Sequence, residues 1–448
     1  MRTPADLFSA HVPRYTSYPT APHFHAGVTG EIFRSWLAAL PQGMALSLYL
    51  HVPFCDTLCW FCGCHTKIVN HYPPLASYLD VLLKEIEAVS AIVGPGHPVT
   101  HIHWGGGSPT MLWPDDVKNL AAAVASHFAL APDAEFAIEI DPRGLKDEMI
   151  AALAEAGVNR ASIGVQDCDE TVQRAINRIQ PFEETRSAVE RLRAAGIDAL
   201  NIDLIYGLPH QTQENIAHTI DMALTLAPQR FAVFGYAHVP HFKKHMQLID
   251  ERALPDAEER LAQFELAHAL LCASGYVAVG LDHFARPGDP LALAQKAGTL
   301  ARNFQGYTTD DAPALVGLGA SSISALPQGY AQNKAEVPEY RKAILAGELA
   351  VARGIALSDD DRLRRAVIER LMCDLKVDLD AVGAPFGKSA ADFRAELAAL
   401  VPYAEQGIVE IDGARLTVPP ASRAAVRLVA AAFDSYLGKN NAVHAVAV

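Results

Sequence analysis

The chain has 448 residues, half of them apolar and a fifth charged, a globular composition too long for one ordinary core, so a large domain with smaller companions is expected. Lysine and arginine total 37 against 51 acidic residues, a formal charge of −14 with no basic stripe, so nucleic acid is not an expected partner. The opening MRTPADLFSAHVPRYT has no signal-peptide core and no apolar run reaches spanning length, which predicts a cytoplasmic chain without membrane insertion.

In chain order, residues 1–44 form no strong repeat. The stretch VPRYTSYPTAPHF, rich in proline, aromatic and hydroxyl residues with Arg14 its one cation, reads as a loop laid over the next domain or as an arm covering an active site. From residue 45 one pattern recurs. Short β-branched runs at 45–52, 99–104, 135–140, 160–166, 199–207, 230–237 and 276–282 alternate with helical periodicity at 78–89, 113–130, 147–158, 182–196 and 256–275. Such alternation predicts parallel βαβ units with right-handed crossovers, closing into a complete or partial β/α barrel over 45–330, with a doubly wound sheet as the second choice.

Polar residues fall at the strand ends: Cys55, Gly105 to Gly107, Glu139 and Asp141, Gln166 and Asp167, Asp203, and His238. Strand ends often carry polar turn residues, but barrel active sites are built from the carboxyl ends of several strands, so these are expected to converge on one mouth. From about 355 the alternation stops, and 331–448 reads as a mainly helical, winged-helix-like domain. Its hairpin turns at Asp412-Gly413, a further helix begins with two prolines, and the last residues form a frayed tail. Its acidic setting favours a lid or packing role over DNA binding.

Four of the seven cysteines lie within ten residues, Cys55, Cys59, Cys62 and Cys64, spaced C-x3-C-x2-C-x-C behind the first strand. In a reducing compartment such a cluster binds metal or works in redox chemistry, while Cys168, Cys272 and Cys373 read as small buried hydrophobes. Structural zinc would want a second, distant ligand pair, and none follows. A [4Fe–4S] cube can be gripped by one short loop, with one iron left open when only three thiolates bind.

C-x3-C-x2-C after a first strand, followed on the second by HWGGGSPT, resembles the radical S-adenosylmethionine (SAM) superfamily. Further stretches narrow the match: PRYTSYPTAPHF, SLYLHVPFC, CWFCGCHT, IEIDPR, IGVQDCDETVQRAINR, NIDLIYGLP, GLDHFARP, RNFQGYTT and YAQN. From about 13 to 438 the chain resembles the oxygen-independent coproporphyrinogen III oxidase family of haem biosynthesis. The resemblance implies a partial β/α barrel of radical SAM type, with a [4Fe–4S] cluster on Cys55, Cys59 and Cys62. Cys64 matches the family's fourth cysteine, which does not bind the cluster.

It also implies two SAM molecules. Tyr49, Gly106, Glu139 and Ile323 match positions binding the first, which chelates the open iron; Phe61, Gly107, Ser108, Gln166, Arg178, Asp203 and Ala237 match positions binding the second. Tyr49, His51 and Arg14 are the candidate catalytic residues, with Tyr15 and Tyr18 joining Arg14 in a cover over the substrate. Trp60, Ser108 and Gly235 depart from the commonest family residues; the first two keep a ring and a hydroxyl. The implied reaction is oxidative decarboxylation of the ring A and B propionates of coproporphyrinogen III to protoporphyrinogen IX, using a 5′-deoxyadenosyl radical, an electron donor and an electron acceptor, in a monomer. Related haem carriers bind SAM and haem without decarboxylation, but generally lack the PRYTSYP arm, the fourth cysteine and RNFQGYTT. A zinc-stapled barrel with hydrolase activity is the third reading.

Overall fold

A computed structural model describes residues 10–439; the first nine residues of the expected arm and the expected tail from 440 lie outside the described residues. Six strands, β1 (Leu46–Val52), β2 (Pro98–Gly106), β3 (Ala129–Ile140), β4 (Arg160–Gln166), β5 (Ala199–Tyr206) and β6 (Arg230–Gly235), run parallel. Their crossovers are α2 (Pro73–Val93), α3 (Pro114–His127), α4 (Asp147–Glu155), α5 (Phe182–Ala194) and α6 (Gln213–Thr225), and α1 (Gly30–Ala38) precedes β1. The helices cover one face. On β4 and β5, Ala161, Ile163, Val165, Leu200, Ile202 and Leu204 are buried, alternating with Ser162, Asn201 and Asp203 on the other face. Period-two alternation thus lines the interior with polar groups.

The run at 276–282 was expected to add a seventh parallel unit after α7 (Ala257–Ala273). Instead β7 (Val277–Val279) and β8 (His283–Ala285) form an antiparallel pair, and β8 is antiparallel to β6. The connection between them is far too short for a crossover, so only a hairpin is possible. At the opposite side β9 (Ala314–Leu318) pairs parallel with β1, and β10 (Ile323–Leu326), β11 (Gly329–Asn333) and β12 (Val351–Ala356) continue antiparallel. The order is β12-β11-β10-β9-β1-β2-β3-β4-β5-β6-β8-β7, a twelve-stranded sheet with two free ends, hence a partial barrel. The boundary expected at 330 falls inside β11, and the main sheet runs on to Ala356.

Beyond it, α8 (Asp359–Asp374) starts at a Ser358–Asp361 capping box and stops where Leu375 turns left-handed, φ 58°. The residues after that stop form β13 (Lys376–Asp378), which joins the predicted hairpin β14 (Glu410–Asp412) and β15 (Arg415–Thr417) in a three-stranded wing. The helix expected after Pro419 is broken: a 3-10 stretch, Pro420–Ala425, precedes α10 (Val426–Ala431), while α9 (Arg394–Ala404) packs beside α8. Cys373 is fully buried and Cys168 and Cys272 partly, all three packed in apolar clusters as expected.

Candidate active site

The cysteine loop leaves the end of β1 and is held from outside by backbone contacts. Trp60 N–H donates to the Ile176 carbonyl (2.9 Å), Asn177 Nδ2 to Leu58 (2.8 Å), Lys243 Nζ to Cys64 (2.9 Å), and His245 Nε2 lies 2.8 Å from the Cys62 carbonyl oxygen. Cys59 is buried, Cys55 and Cys62 half-buried, and Cys64 exposed. Burial, then Cys62 and Cys59, pushes the Cys55 thiol up to about 12, while the hydrogen bond to Cys64 brings Cys62 down to about 7. Two guanidinium groups reach Cys59 Sγ, Arg178 at 3.5 Å and Arg143 at 3.8 Å, and both pair with Asp141. Among the described residues no three His, Cys, Asp or Glu side chains converge as they would on one ion. A cube of iron and sulfur holds its thiolates farther apart than a single ion does. Three soft donors on one short loop, with cations facing a sulfur, fit a [4Fe–4S] cluster.

Tyr49, Gly106, Glu139 and Ile323 line one cavity of about 760 Å³, together with His51, Cys64 and Ser321. The Tyr49 hydroxyl lies 3.0 Å from His51 Nδ1, and His51 Nε2 lies 3.0 Å from the His65 carbonyl oxygen. A carbonyl only accepts, so Nε2 carries the proton and Tyr49 O–H donates to Nδ1; burial, which lowers the His51 pKa, keeps that ring neutral. Burial would raise Glu139, but His103 at 3.3 Å and the Gly106 N–H at 3.0 Å outweigh it, and the carboxylate stays below its usual range. The glycines make this approach possible. A Cβ at Gly106 (φ 107°) would meet the His51 ring at 2.3 Å, and one at Gly107 the Phe54 carbonyl oxygen at 2.4 Å.

The seven residues expected at the second SAM lie along the same end of the sheet but do not line that cavity. Ser108 bonds Thr110 beside Asp56 and Arg143; Gln166, itself left-handed at φ 70°, stands with Arg178 over Gly164; Asp203 bonds Ser162 and Asn201. Phe61 packs in the apolar cluster holding Tyr236, and Ala237 follows β6 half-buried. Burial raises Asp203 to about 6, although Ser162 donates to it. Arg178, expected to meet a ligand carboxylate, already pairs with Asp141 at 3.1 Å, and its Nε has no partner.

Of the three expected covering residues, Arg14 reaches the ends of the parallel strands, donating to the Gly235 carbonyl at 2.6 Å. Tyr15 and Tyr18 instead sink into the C-terminal core with Leu363 and Phe433, their hydroxyls on Asp434 (3.1 Å) and Ser435 (3.0 Å). Their rings are buried because the C-terminal domain offers the apolar face that the polar barrel mouth lacks. Arg143, His103 and Ser321 escaped the sequence reading. Arg143 was within reach there, as a cation two residues past a strand-end aspartate in IEIDPR. No helix among the described residues is long and apolar enough to cross a membrane.

The family model of the radical SAM superfamily matches residues 49–223, and that of the HemN C-terminal domain residues 357–424. An oxygen-independent coproporphyrinogen III oxidase of Bradyrhizobium diazoefficiens is 50% identical over 98% of this chain and 97% of its own, and one of Paracoccus denitrificans 47% over 96% and 95%. The solved coproporphyrinogen III oxidase (HemN) of Escherichia coli, described as a radical SAM enzyme, superposes with a TM-score of 0.91 at 39% identity, covering 95% of this chain and 98% of that one. Identity at this level, end to end and across barrel, arm and wing alike, means that the chain belongs to the oxygen-independent coproporphyrinogen III oxidases, enzymes of the radical SAM superfamily.

Proposed function

We propose that this chain removes the carboxyl groups of the ring A and B propionates of coproporphyrinogen III, giving protoporphyrinogen IX, in the cytoplasm and as a monomer. The observation that carries the reading is one cavity in which Tyr49, Gly106, Glu139 and Ile323 meet beside the cysteine loop. Cys55, Cys59 and Cys62 would hold the cluster, and Arg143 and Arg178 would balance charge on Cys59. When bound, the cluster and SAM together supply a 5′-deoxyadenosyl radical able to take a hydrogen atom from a propionate side chain.

The chain's own residues bind and orient. Glu139, held ionised, is an acceptor for a ligand ammonium; Tyr49 lines the cavity with its hydroxyl held by neutral His51, so His51 acts as a positioning residue. Asp203, Gln166, Arg178, Ser108, Gly107, Phe61 and Ala237 are proposed for a second SAM, with Arg178 exchanging Asp141 for the ligand's carboxylate. An external donor and acceptor complete the electron balance.

The test is an anaerobic assay of the reconstituted protein with SAM, a reductant and coproporphyrinogen III. Carbon dioxide, protoporphyrinogen IX and 5′-deoxyadenosine together support the reading. SAM cleavage or haem binding without decarboxylation would overturn it in favour of a haem carrier.

A further inference from the structure

One wall of the 760 Å³ cavity is a row of side chains across three antiparallel strands. Ile323 on β10 stands opposite Gln332 on β11, Gln332 stands opposite Arg353 on β12, and all three line the cavity. Directly opposed residues share one face of a sheet and neighbouring strands lie about 4.8 Å apart, so Arg353 sits roughly 10 Å from Ile323, a position matched to the first SAM. Gln332 is buried and orients the guanidinium. Its Oε1 accepts from Arg353 Nε at 2.7 Å, while its own Nε2 donates to the Ser321 carbonyl at 3.2 Å. The two bonds settle the amide's orientation and occupy only Nε of the arginine.

Nη1 and Nη2 of Arg353 make no hydrogen bond among the described residues, and burial lowers its pKa with no carboxylate to offset it. Among the described residues lining the cavity, Arg353 is the one arginine or lysine and Glu139 the one carboxylate. Glu139 is already held by His103 and the Gly106 N–H, and it stands on β3, with β11, β10, β9, β1 and β2 between it and Arg353 in the sheet. His65 adds no second cation, because burial, then Lys243, His51 and Arg353, hold its pKa down at about 4. A half-buried guanidinium whose terminal fork faces no acid is unfavourable until an anion meets it. The same cavity offers an apolar face: Phe242 lines it at 68% exposure.

We propose that Arg353 anchors, end-on through Nη1 and Nη2, a propionate that the product retains, and so determines which propionates of the tetrapyrrole are presented to SAM. This rests on the function proposed above. The guanidinium fork suits a carboxylate in two-bonded contact. A carboxylate under attack leaves as neutral carbon dioxide, so an ionic grip on it would favour the ground state over the transition state. A retained propionate keeps its charge through both decarboxylations, and a grip on it serves each of them alike. With that propionate on Arg353, two strands from Ile323, the macrocycle lies along Phe242 and turns another side chain toward Tyr49 and Glu139.

The experiment uses the reconstituted holoenzyme with SAM and follows the fluorescence quenching of two oxidised, unreactive porphyrins. Coproporphyrin III carries all the propionates of the substrate, and protoporphyrin IX only those that the product keeps. Arg353→Met is expected to weaken binding of both by about 30-fold, as loss of one partner of a hydrogen-bonded charge pair does. Arg353→Lys, which keeps the charge without the fork, should recover part of the loss. Iron content, SAM affinity and binding of the uncharged coproporphyrin III tetramethyl ester should stay as in the wild type. Loss for coproporphyrin III alone would overturn the assignment to a retained propionate. Equal loss for acid and ester would overturn the anchor, since that marks a structural role. Wild-type affinity of Arg353→Met for both porphyrins would overturn it too and leave the decarboxylase reading standing. Should Arg353→Met fail to hold its cluster, the same comparison in Arg353→Lys decides. A wild-type enzyme that binds neither porphyrin and releases no carbon dioxide from coproporphyrinogen III would overturn both readings.

Discussion

At Gly107 the geometry leaves no room for even one carbon. A Cβ would lie 2.4 Å from the Phe54 carbonyl oxygen and 2.7 Å from its nitrogen, both backbone atoms at the start of the cysteine loop. Gly107→Ala is therefore expected to displace that loop and cost about 1–3 kcal/mol, seen as a lower melting temperature together with incomplete cluster loading. Asp203 makes a pH prediction. Its carboxyl, raised to about 6, binds a proton more tightly in the folded than in the unfolded chain. The fold thus loses stability as pH rises from the ordinary aspartate range toward 6, and above 6 the loss is complete. Asp203→Asn should melt higher than the wild type at pH 7.5, with the difference shrinking below pH 6. The position of Asp203 was legible because period-two alternation puts it on the polar face of a strand. The occupied state of Arg178 was not, since it sits in a loop and its partner Asp141 follows the end of β3, 37 residues earlier, a pairing on which spacing is silent.

At the level of elements, the six parallel strands and their crossovers followed from alternating periodicity, each unit burying its own helix. The extension β9 to β12 did not, because β9, β10 and β11 are short runs with no helix between them and the strand that β9 joins, β1, lies far back in the chain. Glu85 of α2 ties that extension to the barrel. It is buried at 2% exposure and accepts from Gly319 N–H (2.6 Å), Asn333 Nδ2 (2.7 Å) and the Tyr340 hydroxyl (2.6 Å). Burial raises its pKa despite these donors. Glu85→Ala strands three buried donors and should cost about 3 kcal/mol, read by chemical denaturation. Glu85→Gln, which keeps an accepting oxygen, should cost less.

Across the whole molecule, the arm binds two bodies at once: Arg14 to the barrel, Tyr15 and Tyr18 to the C-terminal core, and His25 by paired backbone bonds of 2.9 Å to Gly354 on the edge strand β12. Tyr18→Phe removes the acceptor of the Ser435 N–H at 3.0 Å and should cost about 1 kcal/mol, with faster hydrogen exchange confined to the arm and the segment around Ser435. The sequence marked the arm by composition but not its destination, because aromatic residues in a proline-rich stretch carry no record of which core receives them. The placing of β1 bears on how the enzyme is made. Its two neighbours are β2 and β9, one drawn from early in the chain and one from Ala314–Leu318. While the ribosome is still synthesising the stretch between, the strand that launches the cysteine loop is an unsealed border. Chains stalled before residue 314 should leave Cys59 open to alkylation, and chains extended well past Ala356 should shield it. Cluster loading is therefore expected to follow synthesis of the Ala314–Leu318 strand.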